Sequence, residues 1–141
     1  MQKKSDGKTY AMKSIRKDVM IENDQIESAV MEKRVLMQNK HPFLVKMAYV
    51  FQTEQKVYFV MNFIRGGELF THLSKEKRFP EDKARFYAMQ IMLSLGYLHK
   101  QDIIYRDIKP ENILIGEDGY LYLADFGLAK TVKKGELAST F

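Results

Sequence analysis

The sequence predicts an α+β fold, and three features carry that reading. A strand of period two leads into an amphipathic helix, two apolar runs flank a polar turn, and a long helical segment gives way to short strands and turns. In chain order, Ser5-Asp6-Gly7-Lys8 is a turn signal, and Thr9 to Ile15 behind it alternates as a strand does. Only four residues precede that turn, so no hairpin partner is expected. From about Glu22 to Asn39, Ile26, Ala29, Val30, Val35 and Leu36 recur at helical spacing among charges, and His41-Pro42 ends the segment. Leu44 to Phe51 and Val57 to Ile64 flank Thr53-Glu54-Gln55-Lys56 as an antiparallel hairpin. After Gly66-Gly67 a short helix is expected from Glu68. Phe79-Pro80-Glu81-Asp82 opens a long helix, with proline in its first turn and acids at its positive end, and Ala84, Ala88, Ile91, Leu95 and Leu98 supply its buried stripe. Beyond His99 come the short strands Ile103-Ile104, Ile113 to Ile115 and Tyr120 to Ala124, with a turn at Gly116-Glu117-Asp118-Gly119, and from Thr131 a polar loop.

Composition narrows the function classes. With 141 residues, 45% of them hydrophobic, the chain has enough apolar content for a core. Its 23 Lys and Arg against 18 Asp and Glu give a charge of +5, but the signs interleave without a basic block, which argues against nucleic acid as a partner. The absence of cysteine removes disulfides, thiolate metal sites and cysteine nucleophiles, and fits a cytoplasmic setting. The polar N-terminus does not resemble a signal peptide, and no stretch approaches the length of a membrane span.

Chemistry concentrates in one loop. Asp107, Lys109 and Asn112 fall within six positions, and Asp125 of Asp-Phe-Gly follows Asn112 by thirteen. Phosphoryl transfer from ATP needs such a set: a carboxylate to orient the attacking hydroxyl, a cation near the transferred phosphate and hard oxygen ligands for magnesium. Asn112 and Asp125 offer those oxygens, and the strand pair between them brings them together; Gly127 allows a sharp turn behind the ligand.

On the run Tyr105-Arg106-Asp107-Ile108-Lys109-Pro110-Glu111-Asn112, followed by Asp125-Phe126-Gly127, the chain resembles the protein kinase family. The tyrosine at 105, where many kinases have histidine, resembles the AGC group of serine/threonine kinases, which includes cAMP-dependent kinase and protein kinase B. The resemblance implies that Asp107 is the catalytic base, that Lys109 contacts the γ-phosphate, and that Asn112 and Asp125 hold Mg2+. Ala11-Met12-Lys13 looks like the family's lysine motif, with Lys13 on the α- and β-phosphates of ATP. Glu32, nineteen residues on, is then its ion-pair partner, with Glu27 the competing acid. Val60 to Ile64 resembles the hinge, with Met61 as gatekeeper and the main chain of Asn62 and Ile64 facing adenine, while Ala11 and Leu114 sandwich the ring. Glu68 matches an acid that contacts ribose and a substrate arginine, and Glu111 a second arginine-reading acid. Leu36, Met47, Tyr105 and Phe126 resemble the apolar stack that links the two lobes. Ser139-Thr140-Phe141 looks like the start of an activation-loop sequence, in which phosphate on Thr140, placed by an upstream activating kinase, would pair with Arg106 and Lys130.

The same resemblance implies a two-lobed, kinase-like architecture in part. Residues 1–64 would be a partial small lobe, with its sheet and one helix, ending in the hinge; residues 65–141 would be the first half of a helical large lobe. Neither a Gly-x-Gly-x-x-Gly nor an Ala-Pro-Glu occurs within the 141 residues. An exposed sheet edge at Thr9 to Ile15 and an uncovered long helix are expected, together with weak ATP binding and little phosphotransfer by the isolated chain. The expected activity of the parent protein is transfer of the γ-phosphate of MgATP to Ser or Thr in protein substrates, near basic residues. The alternative is a truncated, non-catalytic module that binds a kinase regulator.

Overall fold

A computed structural model describes residues 1–5 and 7–132. The first sheet holds β1 (Tyr10–Arg16), β2 (Met47–Gln52) and β3 (Lys56–Asn62) in the order β1-β3-β2, antiparallel throughout. Two helices separate β1 from β2: α1 (Lys17–Glu22) and α2 (Ile26–Gln38). Then follow α3 (Leu69–Glu76), α4 (Glu81–His99) and four short strands, β4 (Ile103–Ile104), β5 (Ile113–Ile115), β6 (Leu121–Leu123) and β7 (Lys130–Thr131). Strands β5 and β6 pair with each other, as do β4 and β7.

Several expectations need correction. The four residues before the first turn do supply a partner. Gln2 bridges to Thr9, and Met1 and Tyr10 exchange backbone bonds at 2.7 and 2.8 Å, because Gly7, at φ 68°, folds the chain back. Residues 11–16 of β1 still form an outer edge among the described residues. The expected helix from Glu22 is two helices, broken at Asp24, whose φ is 51°. The run from Leu44 to Phe51 also divides. Leu44 bridges β6, and the Val45 and Leu123 amides donate to Leu123 and Phe43 carbonyls, both at 2.9 Å, while Met47 onward joins the first sheet. Phe63 and Ile64 lie beyond β3, which ends at Asn62.

Both main helices bury a polar side chain that apolar periodicity does not reveal. On α2, Ile26 and Val30 are exposed while Glu32, Val35 and Leu36 are buried. On α4, Ala84 and Ala88 are exposed, and Gln90, Ser94 and Leu98 are buried. The reason is a backbone demand: the Leu121 amide of β6 donates to Gln90 Oε1 at 2.8 Å, so a polar acceptor must sit there. Phe86, Met89, Met92 and Leu93 form the exposed apolar side of α4. The core joins Val35 and Leu36 of α2 to Leu98, Tyr105, Leu121, Leu123 and Phe126, so helix, loop and short strands share one interior.

Candidate active site

Alternation along β1 places Ala11, Lys13 and Ile15 on the less exposed face. From there the Lys13 ammonium reaches both Glu32 carboxylate oxygens, at 2.8 and 2.9 Å, and Asp125 Oδ1 at 3.3 Å. Glu32 is 2% exposed, whereas the competing Glu27 faces solvent. Burial opposes the charge on Lys13, but the bonds and charges of Glu32 and Asp125 outweigh it and raise its pKa. Burial likewise pushes the Glu32 carboxyl up against the pull of Lys13. The contact of one ammonium with both carboxylate oxygens is the geometry of a charge-assisted hydrogen-bonded pair.

The loop residues are held differently. Arg106 and Asp125 adopt φ of 64° and 52°, the left-handed region that side chains rarely enter, so the surroundings must hold them there. Tyr105 and Phe126 do so. Both are almost fully buried and meet edge to face at 5.3 Å, and the Tyr105 hydroxyl donates to the Ala124 carbonyl. Arg106 Nε donates to the Leu128 carbonyl at 2.7 Å. Strand β5 begins directly after Asn112 and β6 ends two residues before Asp125: the Ala124 amide donates to the Asn112 carbonyl at 2.9 Å, next to Asp125. Asn112 Nδ2 donates to the Asp107 carbonyl at 3.0 Å and to its Oδ2 at 2.6 Å, which turns the amide oxygen of Asn112 away from Asp107. Lys109 Nζ lies 3.0 Å from the same Oδ2 and holds the Asp107 carboxyl below its ordinary pKa. The Gly127 amide donates to Asp125 Oδ1 at 3.2 Å.

Two cavities meet at Lys13, Glu32 and Asp125. One, of about 400 Å³, is lined by Ala11, Met61, Asn62, Ile64, Glu68 and Leu114 among others. Ala11 and Met61 are register partners in the sheet, and Glu68 bridges Leu114. The Asn62 amide donates to the Lys46 carbonyl at 3.1 Å. Val45 and Ala124 also line this cavity and were not foreseen; Ala124 directly precedes Asp125, but nothing in the sequence marks Val45. The other cavity, of about 410 Å³, is lined by Asp107, Gly127 and the turn between α1 and α2.

Other expected residues lie apart from these cavities. Glu111 is exposed on the 3-10 turn Pro110–Asn112, and Lys130 is exposed on β7. Thr140 lies outside the described residues. Of the apolar stack, Leu36, Tyr105 and Phe126 are core residues and Met47 packs against that core. Among the described residues no three His, Asp or Glu side chains converge as a metal cage. The Asn112 and Asp125 oxygens instead suit an ion such as magnesium, which takes one or two protein oxygens and completes its shell with phosphates and water.

The comparisons give the class: a model of the protein kinase domain matches residues 1–141, and the chain belongs to that family. It is 46% identical over its whole length to the RAC-beta serine/threonine-protein kinase of Mus musculus, of which it covers 30%. It is 45% identical over its whole length to Protein kinase 2 of Dictyostelium discoideum, covering 29% of that protein. Over 91% of its length it is 51% identical to the serine/threonine-protein kinase Sgk3 of Rattus norvegicus, covering 26% of it. The chain thus spans less than a third of these relatives, and its similarity lies with AGC-type serine/threonine kinases. No described helix is long and apolar enough to cross a membrane.

Proposed function

We propose that the protein carrying this sequence is a serine/threonine kinase that transfers the γ-phosphate of ATP, with magnesium, to protein hydroxyls in basic contexts. The observation that carries this reading is Lys13, whose ammonium touches both Glu32 and Asp125 where an apolar cavity opens into one lined by Asp107. Adenine would lie between Ala11 and Leu114 and use the main chain of Asn62 and Ile64, with Met61 at the back. Lys13, held by Glu32, would bind the α- and β-phosphates. Asn112 and Asp125 would hold magnesium, which offsets charge on the phosphates. As the substrate oxygen bonds to the γ-phosphorus and the bond to the ADP oxygen breaks, the hydroxyl proton passes to Asp107. Lys109 balances charge beside the transferred group.

Glu68 and Glu111 would read arginines of the substrate, and Thr140 would be phosphorylated by an upstream kinase and pair with Arg106 and Lys130. Residues 1–64 and 65–141 would then act as parts of the two lobes, in a cytoplasmic protein. The test is phosphate transfer from labelled ATP by the natural full-length protein to a serine peptide flanked by arginines and to its alanine-flanked counterpart. Transfer to the first, lost in Asp107→Asn, is expected. Retained activity in both Lys13→Met and Asp125→Ala would refute the residue assignment.

A further inference from the structure

The wall of the apolar cavity nearest Glu68 is built from backbone. The Ile115 amide donates to the Gly67 carbonyl at 2.8 Å, and Glu68 bridges Leu114, so residues 67–68 lie as an extra strand beside β5. Gly66 is pressed so close that a Cβ there would stand 2.3 Å from the Ile115 carbonyl oxygen, and backbone cannot yield that far. One side chain closes this arrangement from the other side. His72, in the first turn and a half of α3, has Nε2 at 2.7 Å from the Gly66 carbonyl oxygen. A carbonyl only accepts, so His72 Nε2 carries the hydrogen and donates it.

We infer that His72 is a positioning residue for the nucleotide. Its hydrogen bond pins Gly66 against β5, and so fixes Glu68 and Leu114 as one wall of the cavity. The inference rests on the reading of that cavity as the adenosine end of the ATP site. His72 is not among the residues lining the cavity. It acts through the Gly66 carbonyl, at the point where the extended segment turns into α3. Loosening that point shifts the wall met by purine and ribose, and leaves Lys13, Asn112 and Asp125 in place around the phosphates.

Calorimetric titration of adenosine, and of ATP with magnesium, into the natural full-length protein and its variants tests this. His72→Ala is expected to weaken both ligands by the same factor, about three- to tenfold, the size of one neutral hydrogen bond. KM for ATP rises accordingly while kcat holds. His72→Gln, whose amide nitrogen can stand where Nε2 stood, restores binding, and His72→Asn, whose amide reaches only to the Nδ1 position, does not. Lys13→Met provides the contrast, weakening ATP by a larger factor than adenosine. Unchanged affinity in His72→Ala, or a loss confined to ATP, would overturn the role of His72 while leaving the kinase reading intact. Failure of the unsubstituted protein to bind either ligand would overturn both.

Discussion

The two halves of the site are held by different means. Lys13 and Glu32 sit on a regular strand and a regular helix, and their contact is forked, with one partner almost wholly buried. Asp107, Lys109, Asn112 and Asp125 sit on loops and turn ends, where Asp125 and the neighbouring Arg106 are left-handed; Lys109 and Asp125 are exposed, Asp107 is half-buried and Asn112 is buried. In the first half periodic elements fix the geometry and burial sets the electrostatics. In the second, the geometry depends on what lies beneath the loop, the Tyr105 and Phe126 rings. Substitutions should therefore separate chemistry from stability in the loop, and merge the two in the pair.

The largest effect is expected at Asp107. Its side chain is anchored by Asn112 and Lys109 and supports no core, so Asp107→Asn removes the proposed base and little else. In the natural full-length protein kcat should fall on the order of 10²- to 10⁴-fold with the urea midpoint nearly unchanged. A matching collapse in stability would mean that the loop is not separable from the fold.

Phe126 supplies the opposite case. It is 0% exposed and carries no polar chemistry, so Phe126→Ala should cost about 3–5 kcal/mol in equilibrium denaturation. Activity should be lost only as far as the loop loses its support. A cost below about 1 kcal/mol would show that the rings do not hold Asp125 in its left-handed conformation.

How much of this was legible in the sequence follows the same division. The strand bearing Lys13, the hairpin and the long helix announce themselves by period, and the offset of nineteen residues pairs Lys13 with Glu32 once the family resemblance is seen. The loop set was visible only as a motif, since its residue types and offsets say nothing of left-handed backbone. What stayed hidden was tertiary. Gln90 is buried because a strand amide far along the chain needs an acceptor, and β7 exists only as the partner of β4. His72 reads as an ordinary helix residue until the Gly66 carbonyl is seen beside it. Apolar periodicity cannot find a polar residue whose burial is set by another element.

In the pair, chemistry and stability are coupled. Lys13→Met removes the proposed phosphate contact and also leaves Glu32 buried without its counterion. Such a loss costs several kcal/mol in a dry interior; here Lys13 is 35% exposed, so about 1–3 kcal/mol is expected from urea unfolding at neutral pH. Adding Glu32→Gln should recover most of that without restoring activity, because the orphan charge is gone while the phosphate contact stays missing. Independent, additive costs would show that the two side chains are not energetically paired.

The smallest effect is in pH, and here the halves differ in sign. Asp107 has its pKa lowered chiefly by the Lys109 hydrogen bond, so its contribution to stability is present above the ordinary aspartate value of about 3.9 and is lost as pH falls through its lower folded value. Glu32 has its pKa raised by burial, so its contribution is full below the ordinary glutamate value of about 4.3 and is lost as pH rises through its higher folded value. Asp107→Asn should flatten the acid limb of the stability profile, and Glu32→Gln the decline on its neutral side. Lys13→Met should steepen that decline, since a carboxylate without its ammonium is harder to ionise in a buried place. Urea midpoints taken across the range separate these cases, and a Lys13→Met profile parallel to that of the unsubstituted protein would show that Glu32 does not depend on Lys13 for its charge.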